Sequence, residues 1–274
     1  MTNWEFPCSG PAAMSIRSWA SGSVAISGEQ TDVITVQVVP SHRGANVDDL
    51  LAEVQVSFDD GQLVIAGPQS SSFRRKTGLD LTIKAPTGSD CEVHTASADV
   101  ACVGELGALT LDTASGDITA ASASGPVMVK TASGDVFIDR ADADVRVTSA
   151  SGDARVAHVR GELQIRAASG DLTIGECGGS VTAHTASGDI DIKEISGGRA
   201  DLEAMSGDVT ITVAPGMGVY LDLSSLSGSV RSDLDETDGG AEEDQETSLE
   251  IKCRTISGDI RIRKGKAHEA AAEA

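Results

Sequence analysis

Thr113-Ala114-Ser115-Gly116-Asp117-Ile118-Thr119-Ala120 returns as Thr131-Ala132-Ser133-Gly134-Asp135-Val136-Phe137-Ile138 and again as Thr185-Ala186-Ser187-Gly188-Asp189-Ile190-Asp191-Ile192. The serines that open the Ser-Gly-Asp unit stand at Ser115, Ser133, Ser151, Ser169 and Ser187, each 18 residues from the last, with Ser97 in frame before them. Self-similarity at a fixed period marks a solenoid, in which each repeat is one turn of chain stacked on its neighbours. The expected fold is all-β: a single-chain parallel β-solenoid of about nine coils, two short strands per coil, closed by a β-rich N-terminal cap.

Stacking places equivalent residues above one another at ~4.8 Å, so the repeat can be read as columns. After each Ser-Gly-Asp come two alternate apolar residues, as in Val136/Ile138, Leu172/Ile174 and Ile190/Ile192. Six and four residues before the serine come two more, as in Leu109/Leu111, Val127/Val129 and Leu163/Ile165. One strand therefore ends at the Ser-Gly-Asp corner and another begins there, each with period-two alternation. Residues between the apolar positions vary freely (Thr119, Phe137, Arg155, Thr173, Asp191) and face water. A second corner carries Ala123, Ala141, Val159, Cys177 and Ile195, which close the other edge of the core.

The corner glycines Gly116, Gly134, Gly152, Gly170, Gly188, Gly207 and Gly258 are expected as structural turn residues, because a tight bend often needs φ > 0. Ser and Asp beside them can satisfy amides that the bend leaves unpaired. The aspartates form a column of their own: Asp99, Asp117, Asp135, Asp153, Asp171, Asp189, Asp208 and Asp259. Stacked carboxylates repel unless compensated, and Ca²⁺ takes oxygen ligands, so Asp117, Asp135, Asp153, Asp171 and Asp189 are the candidate calcium column. The nine-residue calcium β-roll repeat is richer in glycine than this one, and Asp bonding its own turn is the preferred reading.

The frame loosens later. Ser206 follows after 19 residues, Ser227-Gly228-Ser229 after 21 and Ser257-Gly258-Asp259 after 30. The excess in the last interval, 233–247, holds eight acidic residues and no Lys or Arg, the composition of a solvated loop. Ile260 and Ile262 are expected in the last coil, and 264–274 as a frayed tail. Residues 1–90 are β-like but out of frame. They hold Trp4, Trp19, Phe6, Phe58 and Phe73, and Asp60-Gly61 reads as a hairpin turn. This segment is the expected cap over one open end, with 91–263 as the repeat domain.

Aromatic residues make up only 3% of the 274, against 40% hydrophobic, which fits a thin core of Val, Ile, Leu and Ala. A net charge of −21 opposes binding to a phosphate backbone, so nucleic acid is not an expected partner. No apolar run is long enough to span a bilayer, and residues 1–11 show no secretory pattern; membrane insertion is not expected, and the expected location is cytoplasmic. The five cysteines lack framework spacing. Cys91, Cys102, Cys177 and Cys253 take inward positions, leaving only Cys8 outside the frame.

No catalytic constellation emerges. His94 and His184 share a column but lie five coils apart, roughly 24 Å, too far to hold one ion. His42, His158 and His268 read as surface residues. In the outward column His94, Asp112, Lys130, Thr148, Arg166, His184, opposite charges on adjacent coils such as Asp112 and Lys130 can pair. No nucleophile-elbow, phosphate-loop or zinc-protease motif occurs, so neither an enzyme nor a cofactor is expected.

The Thr-Ala-Ser-Gly-Asp-aliphatic units at 113–118, 131–136 and 185–190, behind Leu79-Asp80-Leu81-Thr82-Ile83-Lys84-Ala85-Pro86, resemble the bacterial putative-adhesin β-strand-repeat family, a domain of unknown function. The resemblance covers about residues 15–263 and implies a β-solenoid and a role in adhesion, with no catalytic residues to carry over. Three functions follow in order: a scaffold that binds a protein partner or self-associates, a cell-surface adhesin exported by a non-classical route, and a carbohydrate-active β-helix enzyme.

Overall fold

The computed structural model describes residues 1–42, 47–68, 78–234 and 249–265. Two parallel ladders run the length of the stack and meet at the Ser-Gly-Asp corner. One holds Leu109–Ser115, Val127–Ser133, Val145–Ser151, Leu163–Ser169 and Val181–Ser187; the other holds Ile118–Ala123, Val136–Ala141, Ala154–Val159, Leu172–Cys177 and Ile190–Ile195. Register follows the 18-residue frame: Val127 lies beside Val145, Ser133 beside Ser151 and Ile138 beside Val156. The parallel solenoid stands as expected.

Each coil turns a handful of small and branched side chains inward. In the coil from Val127 to Ala141 these are Val127, Val129, Val136, Ile138 and Ala141, all buried. Ala123, Val159, Cys177 and Ile195 are also buried, closing the second corner. No coil encloses a core of its own; stacking makes the core continuous. Cys91, Cys102, Cys177 and Cys253 are core residues, and Cys8 is buried as well.

Two departures concern the ends. Residues assigned to an out-of-frame cap include a full coil: the strand Ala13–Glu29 runs parallel to Asp90–Leu106, with Ser21 beside Ser97 and Val24 beside Val100. Its frame is hidden in sequence because the chain leaves the stack after Glu29 and returns at Asp90. The excursion builds the layers above: Gln62–Ala66 and Leu79–Pro86 pair parallel with Ala13–Glu29, Val33–Pro40 adds an antiparallel strand, and the N-terminal Thr2–Pro7 pairs antiparallel with Val33–Pro40. Gln55–Asp59 folds back on Gln62–Ala66 through Asp60 and Gly61, both at positive φ (47° and 77°), the hairpin read from sequence. Phe6 and Phe58 meet at 5.4 Å between ring centres and join the two ladders there. Phe73 lies outside the described residues.

The second departure inverts the last two coils. Gly198–Ser206 pairs with Leu249–Ser257, which in turn pairs with Val219–Ser227; Ser257 therefore sits between Ser206 and Ser227. The final coil in sequence is inserted, and among the described residues Val219–Ser227 with Val230–Ser232 ends the stack. Burial follows this order. Leu249, Ile251, Cys253, Ile260 and Ile262 are fully buried between two neighbours, whereas Val219, Leu221 and Leu223 are half-buried with one. Leu249, Ile260 and Ile262 of the inserted coil are also larger than Val219, Val230 and Ser232 beside them, while Cys253 is smaller than Leu223. Most of the acidic interval, 235–247, and the tail beyond Gly265, with His268, lie outside the described residues.

Candidate functional site

At the Ser-Gly-Asp corner the chain of carboxylates is a hydrogen-bonded ladder. Oδ1 of each aspartate accepts the backbone N–H of the aspartate in the next coil: Asp117 to Asp99, Asp135 to Asp117, Asp153 to Asp135, Asp171 to Asp153 and Asp189 to Asp171, all at 2.8–3.1 Å. Asp208 and Asp259 continue it, and Ser229 N–H donates to Asp259 at 2.9 Å. The aspartate serves its neighbour's turn rather than its own, a correction to the sequence reading. Ser229 ends the ladder among the described residues, and with no following coil there it has no amide to receive. Its amide and hydroxyl, aided by Arg261, hold the Asp259 carboxyl below the usual carboxylate range. Among the described residues no three His, Cys, Asp or Glu side chains converge as metal ligands.

Glycine at this corner is required by contact as well as by dihedral angle. Gly152 has φ 118°, and a Cβ there would stand 2.3 Å from the carbonyl oxygen of Gly134 in the coil below. Gly134, Gly170, Gly188, Gly207 and Gly258 share the positive φ, and Gly116 meets Ala98 just as closely.

The histidines pair with acids instead of converging. His94 lies 3.0 Å from Glu92 and 3.8 Å from Asp112, His158 is 3.2 Å from Glu176, and His184 is 3.0 Å from Glu203. Asp112 thus turns to His94, and the pairing with Lys130 expected from the column does not form. The hydrogen bond from His94 lowers the pKa of Glu92. The His158–Glu176 pair borders a polar notch of about 300 Å³ beside the Arg160–Asp142 ion pair. His158 with Glu176 and Arg160 with Asp142 are paired there, and the neighbouring Cys177 is raised above its ordinary value by burial.

A different surface stands out at the end of the stack. The column just before the serine reads Ala96, Ala114, Ala132, Ala150, Ala168 and Ala186, then Met205, Ile256 and Leu226 in spatial order. These three are 58%, 50% and 83% exposed and form an apolar ridge along one wall of a groove of about 680 Å³. Arg166, His184, Glu203 and Arg254 form the other wall. The inserted coil, 249–264, carries five basic and two acidic residues, a local reversal of the chain's −21. The ridge was legible as a break in the alanine column, but only the inverted coil order makes Ile256 bridge Met205 and Leu226.

The model of one family, Toastrack DUF4097, matches residues 12–263, nearly the whole chain. The chain belongs to the Toastrack family. The resemblance read from the Thr-Ala-Ser-Gly-Asp units is therefore borne out. Among solved structures, a putative adhesin from Bacteroides fragilis NCTC 9343 is similar over 95% of this chain and 96% of its own, at 14% identity and a TM-score of 0.50. A putative lipid binding protein from Parabacteroides distasonis ATCC 8503 matches over 97% and 96%, at 12% identity and a TM-score of 0.44. At these identities the first shows a shared fold. No curated protein matches the chain. Among the described residues, no helix of this Toastrack chain is long and apolar enough to cross a membrane.

Proposed function

We propose that this Toastrack protein is a non-enzymatic, adhesin-type scaffold that binds a protein partner through the C-terminal end of its stack. The observation that carries the reading is the exposed ridge of Met205, Ile256 and Leu226, standing where the same column holds alanine in six earlier coils. Exposed apolar side chains gathered at one place, rather than scattered singly, mark an interaction surface. The likeness to a putative adhesin supports a binding role, and the pairing of His158 with Glu176 and of His184 with Glu203 favours structural roles for both histidines.

The test is site-specific photo-crosslinking in cells of the native host, with the reactive residue at Leu226 or, for comparison, at Phe137 on the opposite ladder. A discrete adduct from Leu226 and none from Phe137 is the expected result. Equal labelling at both positions, or none at either, overturns the reading. Protease treatment of intact cells locates the protein: loss of the full-length band assigns the scaffold to the exterior, and protection that disappears on lysis assigns it to the cell interior.

A further inference from the structure

The strand Val219–Ser227 pairs on one side only among the described residues, as does Val230–Ser232. Unpaired edges template further strands unless they are short or carry lysine, proline or inward charge. The opposite end is blunted in this way: Thr2–Pro7 is six residues long and ends in proline, and Gln55–Asp59 is five and ends in an acid. Val219–Ser227 is nine residues long, with no proline, no lysine and one charge, Asp222, which points outward.

We propose that the partner at this end is a second copy of the chain, joined edge to edge by antiparallel pairing of Val219–Ser227 about a two-fold axis through Leu223. This rests on the scaffold reading above and names its partner. The argument is one of register. Facing residues of an antiparallel pair point to the same side, so a shift by one residue would turn Leu221 and Leu223 to water. Among the registers that keep them inward, centring on Asp222 sets that carboxylate against its own copy. Centring on Ser224 sets Asp222 against Leu226. Centring on Leu223 sets Tyr220 against Leu226 of the second copy and Asp222 against its Ser224.

Tyr220 and Leu226 are 59% and 83% exposed, and this register covers both with each other. A two-fold axis perpendicular to the sheets leaves inward residues inward, so half-buried Val219, Leu221 and Leu223 continue the core into the second copy. A nine-residue strand is about 30 Å long, and two sheets with their side chains are about 20 Å deep. That is roughly 600 Å² on each copy and about 1,200 Å² together, the lower bound of a specific interface.

Sedimentation of the full chain across the micromolar range is expected to show a monomer–dimer equilibrium. Leu226→Arg, at a position exposed enough to leave folding intact, is expected to weaken it at least tenfold, with circular dichroism unchanged. Facing residues lie ~4.5–5.5 Å apart between Cα atoms, within disulfide reach, whereas Tyr220 and Leu226 of one chain are about 20 Å apart. Under mild oxidation, a Tyr220→Cys/Leu226→Cys double variant is therefore expected to give a covalent dimer, and either single variant none.

A wild-type monomer throughout overturns the proposal, including one in which the Val219–Ser227 amides resist hydrogen exchange, since the chain then covers its own edge. A covalent dimer from Tyr220→Cys alone, or a ladder of larger species, overturns the register. A monomer that still gives a discrete Leu226 adduct to another protein ends the dimer and leaves the scaffold standing.

Discussion

The backbone N–H of Asp208 donates to Oδ1 of Asp189 in the coil below at 2.8 Å, one rung of a ladder that runs from Asp99 to Ser229. Each side chain satisfies an amide that its neighbour's bend turns away from the strands. The aspartate is thus placed by the stack, and its loss is felt one coil further on. Asp153→Ala removes the acceptor for Asp171 N–H and is expected to cost about 1 kcal/mol, the net worth of a typical hydrogen bond at an exposed site. Asp153→Asn keeps an oxygen in place and is expected to cost less. Urea midpoints of the two variants decide it; equal losses would show that charge, not the acceptor, matters there.

Gly152 and Gly10 both have positive φ, 118° and 128°, but only Gly152 has backbone in the way of a side chain. Gly10→Ala is expected to cost about 1–2 kcal/mol of conformational strain. Gly152→Ala adds a clash with the Gly134 carbonyl that no side-chain rotation relieves, so it is expected to lower the thermal midpoint much further. Comparable shifts from the two would remove the close approach as a reason for the glycine column.

The inverted coil order has a dynamic consequence. Leu249–Ser257 lies between two strands and Val219–Ser227 beside one, so exchange protection is expected to be high in the former and low in the latter. A stack built in simple sequence order predicts the reverse. Native-state hydrogen exchange at low protein concentration, where any association through the end is dissolved, distinguishes the two.

Most of the solenoid was readable because Ser115 to Ser187 repeat without interruption, and strict period-two alternation leaves one assignment of inward faces. The order of the last coils was not, because an interval of 30 residues between Ser227 and Ser257 fits either continuation or return. A chemical mark existed in Ser229: among the described residues, a coil with another above it carries Asp, and the one without carries Ser. It gained meaning only once the aspartate was seen to bond the following coil. The coil around Ser21 was hidden for a related reason, since the strands that separate it from Ser97 fold into further layers instead of extending the frame. The His184–Glu203 pair could be placed by column, but the column alone did not decide whether Asp112 turns to Lys130 or to His94, which flank the same carboxylate.

Cys253 links the core to pH. Burial between Leu202 and Leu223 in the adjoining coils pushes its thiol up to about 12 from an ordinary 9.0. A group whose pKa is raised by folding contributes stability that is complete below its unfolded pKa and is lost as pH rises toward the folded one. The loss therefore falls between about pH 9 and 12, with up to about 4 kcal/mol at stake for a shift of this size. Cys91, raised well above its ordinary value by the Cys102 thiol beside it and by burial, adds to the same slope. Cys253→Val fills the position without an ionisable group, so the variant is expected to lose less stability than the wild type between neutral pH and about pH 11. Urea unfolding at both pH values measures the difference. Identical losses would mean that the thiol reaches solvent and ionises without unfolding the coil.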